Sequence, residues 1–138
     1  MSSAAQESNR SELHPAVRIG HVHLRVGDID RATSFYRDVL GFEVRAYGSD
    51  FGLPGATFLA AGDYHHHIGL NTWHSQGGAP PPEGHTGLHH FAILYPDRRE
   101  LARAVERLLC STIAGEHLTR SHSIDEHYLR LSAPRKAD

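Results

Sequence analysis

Histidines dominate the chemistry available to this chain, which has 13 of them among 138 residues. His21 and His90 stand at the starts of two segments, HVHLRVGDIDRATSFYRDVLGF and HFAILYPDRRELARAVERLLCS, that align without gaps at an offset of 69 residues. Each segment predicts a strand followed by a helix that begins at an Asp. Because two modules folded alike bring equivalent strands together, we expect His21 and His90 to meet at a common metal ion. Neutral imidazole binds Fe, Mn, Zn, Ni and Cu alike.

Three consecutive histidines, His65, His66 and His67, form a second cluster. If they lie in a strand, the two-residue period puts His65 and His67 on one face and His66 on the other. His67 then lies near the metal and is the predicted catalytic acid–base group, since imidazole exchanges protons near neutral pH. A solvent-exposed His cluster at the edge of a loop is the alternative interpretation.

Four further polar or aromatic residues are predicted to contact a substrate: His23, Asn71, Trp73 and Tyr128. Trp73 is the only Trp of the chain, and it could instead close the core or a subunit contact. Stacking on an aromatic substrate is the functional alternative for its ring.

The elements that position these residues begin with a half-buried strand from Ile19 to Val26, in which His21, His23 and Arg25 alternate with apolar residues. Asp28 is the predicted N-cap of a helix that ends at Gly41. Three more strands follow between Gly and Pro turns: Phe42–Ser49, Ala56–Ala61 and His65–Thr72. The predicted module is therefore β-α-β-β-β.

The second module repeats this order only in part. Residues 75–87 are rich in Gly and Pro and predict a linker. A strand over Leu88–Tyr95 leads to a helix capped by Asp97, and Glu126–Leu131 alternates like one further strand. We predict an α+β fold in which two βαβββ modules form a curled mixed sheet, the second module being truncated. The predicted organisation is a disordered tail over 1–16 and a single domain over 17–138, with module one at 17–74, module two at 88–131 and an irregular tail at 132–138.

Composition excludes several classes of partner. The formal charge is −2 with scattered Lys and Arg, so there is no basic footprint for nucleic acid. No apolar stretch reaches the length of a membrane-spanning helix, and the polar N-terminus lacks the apolar region of a secretory signal. Cys110 is the only Cys, which excludes an internal disulfide and suits a reducing cytoplasm. Loop motifs for nucleotide binding are absent.

These residues resemble a known superfamily. HVHLRVGDIDRATSFYRDVLGFEV resembles the opening of the vicinal oxygen chelate superfamily, which includes glyoxalases, bleomycin-resistance proteins and extradiol dioxygenases. YHHHIGLNTWHS and GLHHFAILYPDRREL look more specifically like its catechol-2,3-dioxygenase-like branch. The resemblance implies paired modules around a divalent metal, which in the dioxygenases is Fe(II), or sometimes Mn(II), held by two His and one Glu.

By motif position, the resemblance implies His21 and His90 as metal ligands and His67 as the acid–base group, with His66 as the other candidate. Gly69 stands where glyoxalases carry a Glu ligand. A larger departure follows Arg130, because the turn and the strand that carry the Glu ligand of the family are replaced by LSAPRKAD. Two carboxylates of this region, Glu116 and Glu126, are alternatives for the third ligand. A carboxylate from the partner subunit of a homodimer is a further alternative.

Three function classes follow from the resemblance. The first is an extradiol-type dioxygenase-like protein that acts on a catechol-like diol, inactive if the Glu ligand has no replacement. The second is a bleomycin-resistance-like module that binds a small aromatic or other small-molecule ligand without catalysis. The third is a glyoxalase-like lyase or isomerase that uses Ni or Zn.

Overall fold

The computed structural model describes residues 12–113 and 129–132. The predicted βαβββ order of the first half is confirmed, with these bounds: β1 Val22–Arg25, α1 Ile29–Ser34, β2 Glu43–Tyr47, β3 Ala56–Ala60 and β4 Ile68–Asn71. The four strands form a curled, unclosed sheet with the strand order β1-β4-β3-β2. Strand β1 is parallel to β4, whereas β3 is antiparallel to both β4 and β2.

The alternation in β1 gives the sheet two different faces. Leu24 and the following Val26 are buried, whereas His23 and Arg25 are exposed. This confirms that the His-bearing face of β1 points away from the core. The strand is shorter than predicted, because pairing with β4 begins only at Val22.

The first helix begins as the sequence predicts and ends differently. The backbone N–H of Arg31 donates to the Asp28 side chain over 2.9 Å, which is the expected N-cap bond. After Ser34 the chain widens into a π-helical turn over Phe35–Val39, in which the N–H of Leu40 donates to the Phe35 carbonyl. Gly41 then ends the helix with a φ of 87°, a left-handed conformation that glycine adopts without strain.

The core lies between this helix and the sheet. Tyr36 on the π turn packs with Leu59 of β3 and with Ile68 and Leu70 of β4, and all four are fully buried. Such aliphatic and aromatic side chains each contribute roughly 1.5–3 kcal/mol on burial. The helix therefore covers the face of the sheet opposite to the His-bearing one.

The second half repeats the first where it is described. Its elements are β5 Phe91–Leu94, α2 Arg98–Ile113 and β6 Leu129–Ser132, and β5 pairs in parallel with β6. Val22 and Phe91, which the sequence alignment superimposes, each begin a strand that has a parallel partner, Ile68 and Leu129 respectively.

Side chains of the second half attach it to the first. The Arg107 guanidinium donates to the carbonyls of Val39 and Leu40, each over 3.1 Å. Phe91, Ile93 and Leu108 pack against the core of the first half. The α+β class is confirmed, although the described strands form a four-stranded and a two-stranded sheet rather than one continuous sheet. In the described ranges, no helix has the length and apolar character needed to cross a bilayer.

Candidate metal centre

Three imidazoles meet at the edge of the four-stranded sheet. His21 immediately precedes β1, and His65 and His66 lie in the loop that leads into β4. The ring centroids of His21 and His66 are 4.5 Å apart, as are those of His65 and His66, and His21 lies 6.1 Å from His65. One nitrogen of each ring lies within 4.8 Å of the others, an arrangement that can hold a metal ion. We call these three residues the imidazole cluster.

The environment of the cluster suits neutral imidazole, the form that binds metals. His66 is half-buried, and desolvation lowers its pKa, with further lowering from the neighbouring imidazoles of His21 and His65. His21 and His65 are exposed and accessible to an ion from solvent. Three nitrogen donors fit a divalent ion, so the residues present are compatible with the metal that the resemblance implies.

An aromatic surface adjoins the cluster along the same face. His23 contacts the ring of Phe58 edge-on at 5.9 Å and that of Trp73 at 5.8 Å. Phe58 in turn lies 5.0 Å from His66. Desolvation, followed by the charge of His21, lowers the pKa of His23. We call His23, Phe58 and Trp73 the aromatic face.

Of the other three residues predicted to bind substrate, only Trp73 belongs to the aromatic face. Trp73 is 46% exposed, and its indole N–H donates to the carbonyl of Pro54 over 2.9 Å. Asn71 ends β4, and its carbonyl accepts from the N–H of Val26. Tyr128 lies outside the described residues.

His67 is not a member of the imidazole cluster. Its ring lies 4.5 Å from that of Tyr64 and 6.5 Å from that of the core residue Phe42. Its Nδ1 accepts a hydrogen bond from the backbone N–H of Ala61, and desolvation lowers its pKa. The predicted face assignment of His66 and His67 is wrong, because β4 begins at Ile68 and the three His belong to the preceding loop, where strand alternation does not hold.

His90 is half-buried, and its Nδ1 lies 2.7 Å from Nδ1 of His89. Within residues 12–113, it is not a member of the imidazole cluster. The pairing of His21 with His90 at one ion therefore stays a prediction. Sequence reasoning did not select His65 as a ligand, although three consecutive His beside a strand were the available signal.

A separate cavity of about 380 Å³ lies on the helix-covered side of the sheet. Asp30, Thr33 and Arg37 of the first helix line one wall, and residues of β2 and β3 line the other. None of the residues that line this cavity belongs to the imidazole cluster or the aromatic face.

The sequence profile of the glyoxalase/bleomycin resistance protein/dioxygenase superfamily matches residues 18–113. The chain belongs to this superfamily. Among solved structures of similar fold, lactoylglutathione lyase from Agrobacterium tumefaciens has a TM-score of 0.53 at 25% identity, covering 87% of this chain and 94% of its own. The fosfomycin resistance protein FosX from Listeria monocytogenes has a TM-score of 0.51 at 16% identity, covering 86% and 92%, and this likeness concerns the fold alone.

A catechol-2,3-dioxygenase of Bacillus subtilis (strain 168) is 38% identical to the present chain over 104 residues. The match covers 75% of the chain and 35% of the Bacillus protein. The chain thus corresponds to about a third of that relative's length.

Proposed function

We propose that this chain is a metal-dependent, extradiol-type dioxygenase-like protein that acts on a catechol-like aromatic diol. The observation that carries the proposal is the position of the imidazole cluster beside the aromatic face, on the side of the sheet that the core leaves open. The similarity to a catechol-2,3-dioxygenase supports the substrate class.

His21 is the metal ligand common to the predicted His21–His90 pair and to the imidazole cluster. A bound divalent ion would lower the pKa of diol hydroxyls and favour their anionic form. Fe(II) is the ion implied by the resemblance, with Mn, Zn and Ni as alternatives. A homodimer whose partner subunit supplies a carboxylate is part of the same proposal.

The aromatic face gives the diol ring a surface to pack on. Edge-to-face and stacked aromatic contacts each contribute about 0.5–1.5 kcal/mol beyond the area that they bury. Phe58 contacts the rings of both His66 and His23, so a diol ring packed on it would lie next to the imidazole cluster. His67 would then accept a hydroxyl proton and return it as the ring opens, and Asn71 would position the substrate.

Oxygen consumption tests the proposal. The full chain, reconstituted anaerobically with Fe(II), is mixed with catechol, 3-methylcatechol and 4-methylcatechol, and uptake of O₂ is followed together with the yellow ring-opened product. We expect uptake with these vicinal diols and none with resorcinol, whose hydroxyls are not adjacent. His21→Ala should abolish it. No uptake by metal-loaded protein would contradict the proposal.

A glyoxalase-like lyase is the second candidate, and its support is the structural likeness to lactoylglutathione lyase. Against it stands Gly69, because the place of the glyoxalase Glu holds no side chain and the His23 ring lies against it. Turnover of a hemithioacetal by the Ni- or Zn-loaded chain, without O₂ uptake, would favour this candidate over the dioxygenase.

A further inference from the structure

We infer that His21, His65 and His66 form a three-imidazole metal site, built by the first half of the chain and independent of His90. The inference deepens the proposed function and rests on it for the chemistry that the ion supports. It differs from the two-His, one-Glu set that the resemblance implies, because two ligands come from the loop that precedes β4.

The geometry of the cluster is close to that of a bound state. Metal–nitrogen bonds of about 2.0–2.1 Å place the nitrogens around a tetrahedral ion roughly 3.4 Å apart. The three nitrogens now lie within 4.8 Å of one another, so closure requires shifts of about an ångström. His21 and His65 are exposed and free to make these shifts by side-chain rotation.

His66 is the fixed member of the set. It is half-buried, and its ring packs edge-on against Phe58 at a centroid distance of 5.0 Å. A side chain held by packing loses less conformational entropy on binding an ion than an exposed one does. We therefore expect His66 to orient the site, with His21 and His65 closing on the ion.

Backbone hydrogen bonds hold the ligand-bearing segments together. The N–H of Val22, next to His21, donates to the carbonyl of His67 over 3.0 Å. The N–H of His67 donates to the carbonyl of Leu59 in β3 over 2.8 Å. The loop that carries His65 and His66 is thus attached to β1 and β3 at its last residue, one position from a ligand.

The donor set indicates which ions the site prefers. The cluster contains three neutral nitrogens and no carboxylate. The affinity of such a site for divalent ions rises in the order Mn < Fe < Co < Ni < Cu, and its affinity for Zn is below that for Cu. The hard ions Mg and Ca bind poorly, because they prefer oxygen ligands. Three His ligands also leave a coordination position open, as in catalytic zinc sites, where an anionic diol oxygen can enter.

Cobalt titration tests the site without relying on activity. The metal-free full chain is titrated with Co(II), whose visible absorption reports nitrogen coordination, and bound Co(II) is then displaced with Zn(II). We expect His65→Ala and His66→Ala each to weaken Co(II) binding at least about tenfold, because each removes one ligand. His90→Ala tests the independence of the site from the second half and should bind within about twofold of the parent, and His85→Ala, which removes an exposed imidazole outside the cluster, is the matched control.

A second measurement does not depend on the stability of the variants. In the parent protein, Co(II) should broaden and shift the imidazole NMR resonances of His21, His65 and His66 more strongly than those of His67 and His90. If His90→Ala abolishes binding while His65→Ala and His66→Ala bind normally, the inference is overturned in favour of the His21–His90 pair. Equal Co(II) binding by all variants would place the metal elsewhere and also overturn it.

Oxygen uptake on the same samples separates the two proposals. Co(II) binding that depends on His65 and His66, combined with absent O₂ uptake by the Fe(II)-loaded parent, would support this site and contradict the dioxygenase proposal. O₂ uptake that survives His65→Ala and His66→Ala but not His90→Ala would support the dioxygenase and overturn the three-imidazole site.

Discussion

Gly69 in β4 lies directly beneath the imidazole of its register partner His23 in β1. A Cβ at position 69 would come within 2.8 Å of Nδ1 of His23 and 3.0 Å of its Cγ. Because Cγ is bonded to the Cβ of His23, the ring cannot avoid this contact by a small rotation. The absence of a side chain at Gly69 is therefore what allows His23 to lie flat and contribute to the aromatic face.

Gly69→Ala should displace the His23 ring and destabilise the protein by about 1–3 kcal/mol, the usual effect of overpacking. In a His23→Ala background the same substitution should be nearly neutral, because the obstructing ring is gone. Urea unfolding of the parent, both single variants and the double variant measures this coupling. An equal loss of unfolding free energy in both backgrounds would show that the close contact does not determine the effect.

Trp73 should report ligand binding at the aromatic face. It is the only Trp, is 46% exposed, and lies 5.8 Å from the His23 ring. An aromatic diol that packs there should change the intensity of Trp73 emission, and Phe58→Leu should weaken the binding measured in this way. Cyclohexane-1,2-diol, which has the hydroxyls but no aromatic ring, is the control. Equal responses to the two diols would argue against a ring-packing surface.

The start of the first module was predictable because β1 and β2 alternate between more and less buried residues. Alternation in β1 correctly separates His23 from Leu24, and the helix signals at Asp28 and Gly41 are correct as well. The 69-residue repeat also correctly predicts that a strand and then a helix follow His90, as they follow His21. These features depend on local periodicity, which a single sequence displays.

The imidazole cluster was not predictable in the same way. A run of three His has no turn residue and fits a strand pattern as well as a loop. The start of the strand is set by tertiary contacts, because β4 begins at Ile68, where it pairs with β1 and β3. The π turn after Ser34 is similar, since the apolar spacing of Phe35, Tyr36 and Val39 suits an α-helix equally well.

Arg107→Ala should weaken the attachment of the second half to the first. Its guanidinium donates to the carbonyls of Val39 and Leu40, which end the first helix and have no further helical partner. Loss of both bonds should lower the free energy of unfolding by about 1–2 kcal/mol. Arg103→Ala is the matched control, because Arg103 pairs with Glu100 within α2, and it should cost less than about 0.5 kcal/mol. Equal effects in urea unfolding would exclude the special role of Arg107.

Asp97 should make the stability of α2 depend on pH. The backbone N–H of Glu100 donates to its carboxylate over 2.9 Å, and this bond is the main cause that lowers the pKa of Asp97. A carboxyl group whose pKa is lower in the folded state stabilises that state above its unfolded pKa of about 3.9. This contribution is lost as the pH falls through the lower pKa of the folded state.

Asp97→Asn keeps a good helix cap and removes only the charge. The parent should therefore be more stable than this variant above about pH 5, and the difference should shrink as the pH falls below about 4. Urea unfolding between these pH values measures it, with Asp63→Asn, which removes a carboxylate outside any helix, as the control. A difference that does not change with pH would mean that the charge of Asp97 contributes nothing, and that the cap stabilises α2 through its hydrogen bond alone.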